Sequence, residues 1–438
     1  MVVTELEKIV DEKRIVKSGD EDPFGNLGKC TVYPQTEEEI SAILTYASKN
    51  GRKVFVEGSG TKKGFGGLLE KADILLSLSH CKGVVEYSAG DLTITVRPGT
   101  TIKEIGEYLA PFGQCLSVDP AWPEFATIGG VIAANSSGPK RLKYGSARDF
   151  VIGLRVVYPD GKVIRTGGKV VKNVAGYDMN KLFVGSMGTL GVISEVTVKL
   201  RPLPKYESLV LLSFSEKNLH EIRSFVIQLL DSMMEPVSLE LVNPTLSNQL
   251  TGLEGYTLFI GLEGIEKSVL YQEMWIKEHQ PKETELIILQ QHEAKKIWST
   301  FAKLAPNPLR IKEIDESNLE IGIKIGSKNI DVIELVEACH LMSLNKHVDV
   351  RVHGGTGHGI TKAYVKGNTE AVLSYVRDIR SAGCNKGGYA IVEHAPYILR
   401  KHVNVWGDPP SYFSLLEGIK KAIDPNNVLN TQRFVGGL

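Results

Sequence analysis

The stretch ATIGGVIAANSSGP, at residues 126–139, carries the strongest signal for the fold of this chain. Gly129 and Gly130 open a short segment of small apolar residues, predicted to be helical, and the polar residues Asn135, Ser136 and Ser137 follow it directly. The free backbone N–H groups at the start of such a helix suit an anion. Tight helix packing followed by an ordinary turn is the alternative interpretation, so the rest of the chain has to decide between the two.

A second glycine-rich segment lies upstream, where EGSGTKKGFGG at residues 57–67 follows a predicted strand at 53–56. Successive Gly, Ser and Thr residues allow backbone N–H groups to converge on phosphate oxygens, and Lys62 or Lys63 would add positive charge. The segment matches neither GxGxxG nor GxxxxGK[ST], so a Rossmann site and a P-loop are poorly supported. A surface loop without a ligand is the remaining alternative.

Composition limits the class of protein. The 438 residues predict two or three domains, and 51 basic against 51 acidic residues argue against a nucleic-acid partner. Of the 44 glycines, 23 lie between residues 51 and 200. This excess indicates that the stretch contains positive φ angles or close approaches of backbone that other residues would not allow. The five cysteines include no CxxC pair, so an iron–sulfur cluster or zinc ribbon carried by this chain is poorly supported.

The chain gives no sign of export or membrane insertion. Residues 1–17 are charged and lack the apolar core of a secretory signal, and the longest apolar stretches are far shorter than a membrane span. We therefore expect a protein without a transmembrane segment, located in the cytoplasm.

The pattern of predicted elements changes near residue 204. A cleanly alternating strand at 192–200 is followed by Arg-Pro-Leu-Pro, which marks a domain boundary. Beyond it, residues 208–290 and 319–393 each scan as strand–helix–strand–strand–helix–strand, the ferredoxin-like order, and two such units could form one antiparallel sheet with its helices on a single face. We expect an α+β chain with an N-terminal segment (1–24), a first domain (25–204), a second domain (205–410) and a C-terminal helix and tail (411–438) that returns to the first domain.

Taken together, these motifs resemble the FAD-binding fold shared by vanillyl-alcohol oxidase, p-cresol methylhydroxylase (the PCMH type) and the flavin-dependent 2-hydroxy-acid dehydrogenases. The match runs from about Val32 to Pro204 and includes both glycine-rich segments and the later YGSARD at 144–149. GGKVVKNVAGYD at 167–178 and GSMGTLGVI at 185–193 are similar to the branch that contains the E subunit of glycolate oxidase. The tail LNTQR at 429–433 is similar to the family's C-terminal Asn-Pro-Gly motif but departs from it at Thr431.

The resemblance implies a two-part PCMH-type FAD domain followed by a substrate (cap) domain built from the two ferredoxin-like units. It places the cofactor against a set of residues spread over six motifs: Glu57, Gly58, Ser59, Gly60, Thr61, Lys62, Pro120, Thr127, Gly129, Gly130, Asn135, Ser137, Gly138, Tyr144, Asp149, Val192, Ile193 and Asn430. Some relatives hold FAD covalently through His or Cys near the pyrophosphate loop. Residues 57–67 contain neither, and His80 and Cys81 lie beyond them, so we expect non-covalent FAD.

The same resemblance implies substrate chemistry in the second domain. The run HGGTGHG at 353–359 and the pair Glu393-His394 match a family pattern that holds a divalent metal and a catalytic histidine. By position, His353 and Glu393 fall on metal ligands and His394 on the base. Thr356, His358 and Ile360 depart from the pattern, although the imidazole of His358 could act as a ligand. The alternative is a degenerate site without metal.

The activity implied is oxidation of a small 2-hydroxy acid such as glycolate or lactate, with hydride transfer to the flavin and the hydroxyl proton taken by His394. Electrons would pass to partners, namely a second flavin subunit and an iron–sulfur subunit or electron-transfer flavoprotein. Two alternatives remain at this point: a subunit that only holds FAD for assembly or electron relay, and an oxidase that works alone with O₂.

Overall fold

The computed structural model describes residues 2–19, 21–69, 71–168, 177–215 and 218–438. The centre of the GGKVVKNVAGYD motif, residues 169–176, lies outside these ranges. Within them, no helix is long and apolar enough to cross a membrane.

The first sheet contains β1 (Ile15–Lys17), β2 (Leu27–Val32), β3 (Val54–Glu57) and β4 (Lys71–Ser77) in the order β1-β2-β4-β3. Strands β2, β4 and β3 are parallel, and β1 is antiparallel to β2. Helix α1 (Val2–Leu6) and helix α2 (Glu37–Lys49) accompany the sheet, and α2 begins where the side chain of Thr36 accepts a hydrogen bond from the Glu39 N–H. Leu6 of α1 is fully buried in the core beneath this sheet, so the N-terminal segment packs against the first domain.

The second sheet surrounds the long strand β10 (Val192–Pro202). Its other strands are β5 (Val84–Ser88), β6 (Thr93–Val96), β7 (Gln114–Leu116), β8 (Val151–Val157) and β9 (Val163–Gly167), in the order β5-β6-β10-β8-β9 with β7 also paired to β10. The helices here are α3 (Ile102–Leu109), α4 (Ile128–Ala133), α5 (Arg141–Tyr144), α6 (Ala147–Phe150) and α7 (Asn180–Phe183). The alternation predicted for β10 is confirmed from Ser194 onward, because Val196 and Val198 are buried while Lys199 is exposed. Ile193, which the pattern places on the opposite face to Val192, is buried as well.

Both predicted βαββαβ units form, and they join into one eight-stranded antiparallel sheet. The first unit contains β11 (Tyr206–Phe214), α8 (Leu219–Leu230), β12 (Ser238–Val242), α9 (Pro244–Thr251), β13 (Tyr256–Gly264), α10 (Glu266–His279), β14 (Glu285–Gln290) and α11 (His292–Phe301). The second contains β15 (Leu319–Gly326), α12 (Val332–Lys346), β16 (Asp349–Gly355), β17 (Ile360–Gly367), α13 (Thr369–Asn385) and β18 (Tyr389–His394). The strand order is β14-β11-β13-β12-β16-β17-β15-β18, so the units meet where β12 pairs with β16.

The helices of the two predicted units lie on one face of this sheet, as expected, because α8, α10, α12 and α13 share one core. Two further helices, α9 and α11, pack in a separate cluster with Leu209, Phe259 and Tyr364 of the sheet. Side chains of a strand alternate between faces, and the sheet has apolar positions on both, so both need cover. The chain is α+β, as predicted.

The last part of the chain runs back to the first sheet. After α14 (Tyr397–Arg400) and α15 (Phe413–Ile423), the carbonyl of Val428 accepts a hydrogen bond from Val54 N–H at 2.8 Å. Asn430 N–H donates to the carbonyl of Val54 at 3.0 Å. The tail thereby lies alongside β3, the strand that leads into the glycine-rich segment at 57–67.

Candidate functional site

A cleft that contains about 810 Å³ of empty space, including space open to solvent, lies between the first two sheets, and its walls are largely backbone and small side chains. Eleven of the predicted cofactor residues line it: Glu57, Gly58, Ser59, Gly60, Thr61, Lys62, Thr127, Gly129, Gly130, Val192 and Ile193. Ser186, Met187 and Gly188 of the GSMGTLGVI motif also line it. We call this cleft the first cavity. Three motifs distant in sequence therefore meet at one surface.

Close approach of backbone explains the glycines of the first cavity. A Cβ on Gly58 would lie 2.0 Å from Thr127 Oγ1, and one on Gly129 would lie 2.7 Å from a side-chain carbon of Pro98. Gly60 has φ of +89°, a left-handed conformation that other residues rarely adopt. Any larger residue at these positions would fill the cavity or force its two walls apart.

Ionised groups flank the glycine-rich segment. Burial raises the pKa of Glu57, against the opposing charges of Lys63 and Arg433. Burial also lowers the pKa of Arg433 to about 10, against the effect of Glu57. Arg433 lines the first cavity, and its Nη2 donates to the carbonyl of Lys62 at 2.8 Å. The C-terminal tail thus supplies a cation that sequence reasoning had not assigned to the site.

Asn430 supports the first cavity from behind. Its Oδ1 accepts from Val56 N–H at 2.8 Å, and its Nδ2 donates to the carbonyl of Met187 at 2.7 Å. It does not line the cavity itself. The predicted cofactor residue Asn430 therefore connects two walls of the cavity.

A second, smaller cavity of about 420 Å³ adjoins the first, since Ala134 lines the first and Asn135 the second. The predicted residues Asn135, Ser137, Gly138 and Glu393 line it. Charged and polar side chains of the eight-stranded sheet complete it: Glu240, Lys324, His353, His358 and Lys362, together with Arg141 of α5. Its lining is thus far more charged than that of the first cavity.

The two histidines of the HGGTGHG run both engage Glu240. His353 Nδ1 lies 2.7 Å and His358 Nε2 lies 3.1 Å from opposite oxygens of this carboxylate. Burial alone would raise the pKa of Glu240, but the hydrogen bonds and charges of His353 and His358 outweigh it and hold the pKa at about 2. Glu240 is therefore an ionised, fully engaged carboxylate, and the sequence pattern gave no sign of it.

Glu393 lies among lysines. The ammonium groups of Lys324 and Lys362 each lie 3.7 Å from its carboxylate. Burial would raise the pKa of Glu393, but the charges of Lys362, Lys62 and Lys324 outweigh it and hold the pKa at about 2.

This arrangement does not fit the divalent metal that the family pattern implies. The described part of the chain contains no group of three or more His, Cys, Asp or Glu side chains that could hold one. His353 and His358 direct ring nitrogens at Glu240, and the proposed ligand Glu393 is surrounded by cations that would repel a metal ion. We therefore assign no metal to these residues.

His394 lines neither cavity. It is buried at the end of β18, its ring lies 5.1 Å from that of Phe24, and its Nε2 has no hydrogen-bond partner among the described residues. Burial, and then the charges of Lys62 and Arg400, lower the pKa of His394 to about 3. The imidazole is therefore neutral, but the structure does not bring it to the cavity wall that Glu393 occupies.

Three other predicted cofactor residues also line neither cavity. Tyr144 donates from its hydroxyl to Glu263 at 3.0 Å, and Asp149 accepts from Ser146 N–H at 2.7 Å in the cap of α6. Pro120 is buried next to Asp119, whose carboxylate accepts from the N–H groups of Gly138 and Lys140. These residues shape the segment around the second cavity. His80 and Cys81, the nearest candidates for covalent attachment, do not line the first cavity either.

Comparison with known proteins identifies the class. A family model described as an FAD binding domain matches residues 28–167, and the fold superposes on p-cresol methylhydroxylase with a TM-score of 0.78 at 15% identity, over 99% of this chain and 96% of that one. The chain therefore contains an FAD binding domain and has the p-cresol methylhydroxylase type of fold.

Relatives narrow this class further. The chain is 30% identical to glycolate oxidase subunit GlcD of Bacillus subtilis, over 95% of this chain and 91% of that protein. It is 46% identical over 125 residues to glycolate oxidase subunit GlcE of Escherichia coli, which is 28% of this chain and 36% of that protein. The chain belongs to the family of FAD-linked oxidoreductases that includes these glycolate oxidase subunits, as the sequence motifs indicated.

Proposed function

We propose that this protein oxidises a small 2-hydroxy acid, with FAD in the first cavity and the substrate in the second, and passes the electrons to a partner subunit. The observation that carries the proposal is the contact between the two cavities: one is lined by backbone suited to a diphosphate, the other by charged groups suited to an acid. Gly58, Gly60 and Gly129 leave room for the cofactor, and the buried Asn135 Oδ1 lacks a partner among the described residues. Bound FAD supplies a two-electron acceptor.

His353 is the residue we propose as the proton acceptor in the second cavity. In the neutral imidazole of His353 the proton lies on Nδ1, because Glu240 is ionised and only accepts hydrogen bonds, and Nε2 is then left as a base. That nitrogen lies 3.4 Å from the hydroxyl of Tyr364. His358 is less suited, because its Nε2 faces Glu240 and its Nδ1 accepts from a fixed backbone donor, Ile360 N–H at 3.3 Å. The hydroxyl beside His353 Nε2 can instead turn its proton away. This proposal replaces the expectation that His394 acts as the base.

A matched pair of variants tests these roles. Purified protein is mixed anaerobically with glycolate, D-lactate or L-lactate, and loss of flavin absorbance near ~450 nm is followed. We expect His353→Asn to slow reduction by about 10²–10⁴-fold, the usual effect of removing a general base, and His394→Asn to change it little. Both variants should retain FAD, and acid should release that FAD from the protein. Slow reduction in His394→Asn with normal rates in His353→Asn would reverse the assignment.

The partner is the second part of the proposal. Local identity of 46% to a subunit of an oxidase supports a role within a complex, and the absence of a CxxC pair from the sequence favours clusters carried by another chain. If the isolated protein is not reduced by any hydroxy acid, but is reduced once its partner is added, then it relays electrons and does not oxidise substrate itself. Rapid reoxidation of the isolated protein by O₂ would instead favour an oxidase that works alone.

A further inference from the structure

The second cavity holds more positive than negative charge. Of its two carboxylates, Glu240 is already engaged by His353 and His358. The other, Glu393, lies 3.7 Å from Lys324 and Lys362 and also interacts with the charge of Lys62, and Arg141 adds a further cation to the cavity wall. Three ammonium groups thus share one carboxylate in a partly enclosed space.

The strand register makes this arrangement costly in the absence of a ligand. Lys324 of β15 lies directly opposite Lys362 of β17, so the two side chains leave adjacent strands at the same level and on the same face. Like charges in directly opposed positions destabilise a sheet. Both lysines are also largely buried, with side chains 18% and 16% exposed, which weakens the screening of their repulsion by water.

Glu393 offsets only part of this repulsion. Its carboxylate lies 3.7 Å from each ammonium group, which is longer than a close ammonium–carboxylate hydrogen bond of about 2.7–2.9 Å. The two lysines therefore retain hydrogen-bonding capacity toward the cavity. The third, Lys62, belongs to the glycine-rich segment and lines the first cavity, and its charge acts on Glu393, Lys324 and Lys362, so an anion bound among the three would lie next to the cofactor site.

We propose that Lys324, Lys362 and Lys62 form a metal-independent binding site for the carboxylate of a small organic acid. The site accepts one carboxylate group, which competes with Glu393 for the ammonium groups and relieves their mutual repulsion. The inference deepens the proposed function, because it assigns the acid group of the hydroxy acid to this cluster and leaves its hydroxyl to face His353, which lies directly opposite Lys362 on β16.

Binding of oxalate to the FAD-loaded full chain, measured by isothermal titration calorimetry, tests the site. Oxalate carries carboxylates but no C–H bond, so it cannot donate a hydride and reports binding alone. We expect Lys324→Gln and Lys362→Gln each to raise the Kd about tenfold or more, since each removes a charge-assisted hydrogen bond. Lys366→Gln is the matched control. Lys366 lies on β17, like Lys362, and its ammonium group is likewise 3.7 Å from a carboxylate, that of Glu320, but it does not line the second cavity.

Glu393→Gln gives a result of opposite sign. Removal of the competing carboxylate should lower the Kd for oxalate, whereas loss of a merely structural residue would raise it. EDTA should leave oxalate binding unchanged. The proposal is overturned if the lysine variants bind oxalate like the wild type while retaining FAD and fold, or if EDTA abolishes binding and a divalent metal restores it.

Parallel reduction of the flavin by glycolate separates this proposal from the proposed function. Oxalate binding that depends on Lys324 and Lys362, without reduction by any hydroxy acid, supports the site and contradicts only the oxidation. Reduction by glycolate at the same rate and half-saturation in wild type and both lysine variants contradicts only the site.

Discussion

The two cavities differ in what builds them. The first is lined by backbone and small residues from loops and helix starts, whereas the second is lined by long charged side chains from several strands and a short helix. A backbone-lined site can recognise phosphates through N–H groups and needs space more than charge. A side-chain-lined site can instead exchange protons and distinguish one acid from another. Cofactor binding and substrate choice therefore depend on different kinds of residue in this chain: glycines and small residues for the first, charged strand residues for the second.

Gly60→Val should have the largest effect on the first cavity. A branched side chain resists φ of +89°, and its Cβ would lie 3.1 Å from the Lys63 side chain. We expect FAD occupancy, measured by flavin absorbance per protein, to fall close to zero while the second domain stays folded. Gly106→Ala is the control, since its Cβ would meet nothing within 4 Å. Normal occupancy in Gly60→Val would show that the cofactor does not approach this segment.

Glu240→Gln, in the second cavity, should mainly lower the free energy of unfolding of the protein. The two histidines hold the Glu240 pKa at about 2 instead of 4.5. A carboxyl whose pKa falls on folding stabilises the protein above its unfolded pKa, and this contribution is lost as the pH falls through the folded value. We expect the wild type to exceed the variant by about 3 kcal/mol in free energy of unfolding at pH 7. The difference should shrink between about pH 4.5 and pH 2.

Urea unfolding at several pH values measures this difference. Glu235→Gln is the matched control, because Glu235 is 74% exposed and its pairing with Lys143 should contribute little. A difference between wild type and Glu240→Gln that stays constant down to pH 2 would mean that Glu240 is not the ionised centre of the second cavity.

Asn430→Ala should weaken the first cavity without altering its lining. It removes two side-chain hydrogen bonds and leaves Val56 N–H and the Met187 carbonyl without these partners. We expect a loss of about 2 kcal/mol in the free energy of unfolding and weaker retention of FAD on dialysis. The exposed Asn426→Ala should show neither change. Equal FAD retention in both variants would show that the hydrogen bonds of Asn430 do not contribute to cofactor binding.

Asp149→Ala should have the smallest effect, and it tests a residue that belongs to neither cavity. Its carboxylate accepts from Ser146 N–H in a helix cap, so its loss should cost about 1 kcal/mol of stability. FAD occupancy and flavin reduction should stay at wild-type values. A marked loss of FAD from this variant would instead support the expectation that Asp149 contacts the cofactor.

The sequence was sufficient to predict the first cavity because its motifs are contiguous. Gly58, Thr127 and Gly129 lie in short segments whose composition reports the backbone conformation they need. Both ferredoxin-like units were predictable for a similar reason, since each strand and helix carries its own local period.

The second cavity was less predictable because it depends on strand register. Lys324 faces Lys362, and Glu240 meets His353 and His358, only through pairings between strands far apart in the chain. No local pattern indicates which of many charged strand residues become neighbours. The pair Glu393-His394 shows the same limit: the register of β18 shifts between Val392 and His394, and Glu393 lines the second cavity whereas His394 does not. Consecutive sequence letters do not indicate such an irregularity.

The position of Asn430 and Arg433 has a consequence for biosynthesis. Both contact the glycine-rich region from the far end of the chain, with Asn430 bonded to a residue 374 positions earlier. On the ribosome, the first domain can fold around its own sheets long before these residues have been translated. Asn430 and Arg433 can complete the cofactor compartment only after they have left the exit tunnel, so we expect stable loading of FAD to follow the synthesis of this region.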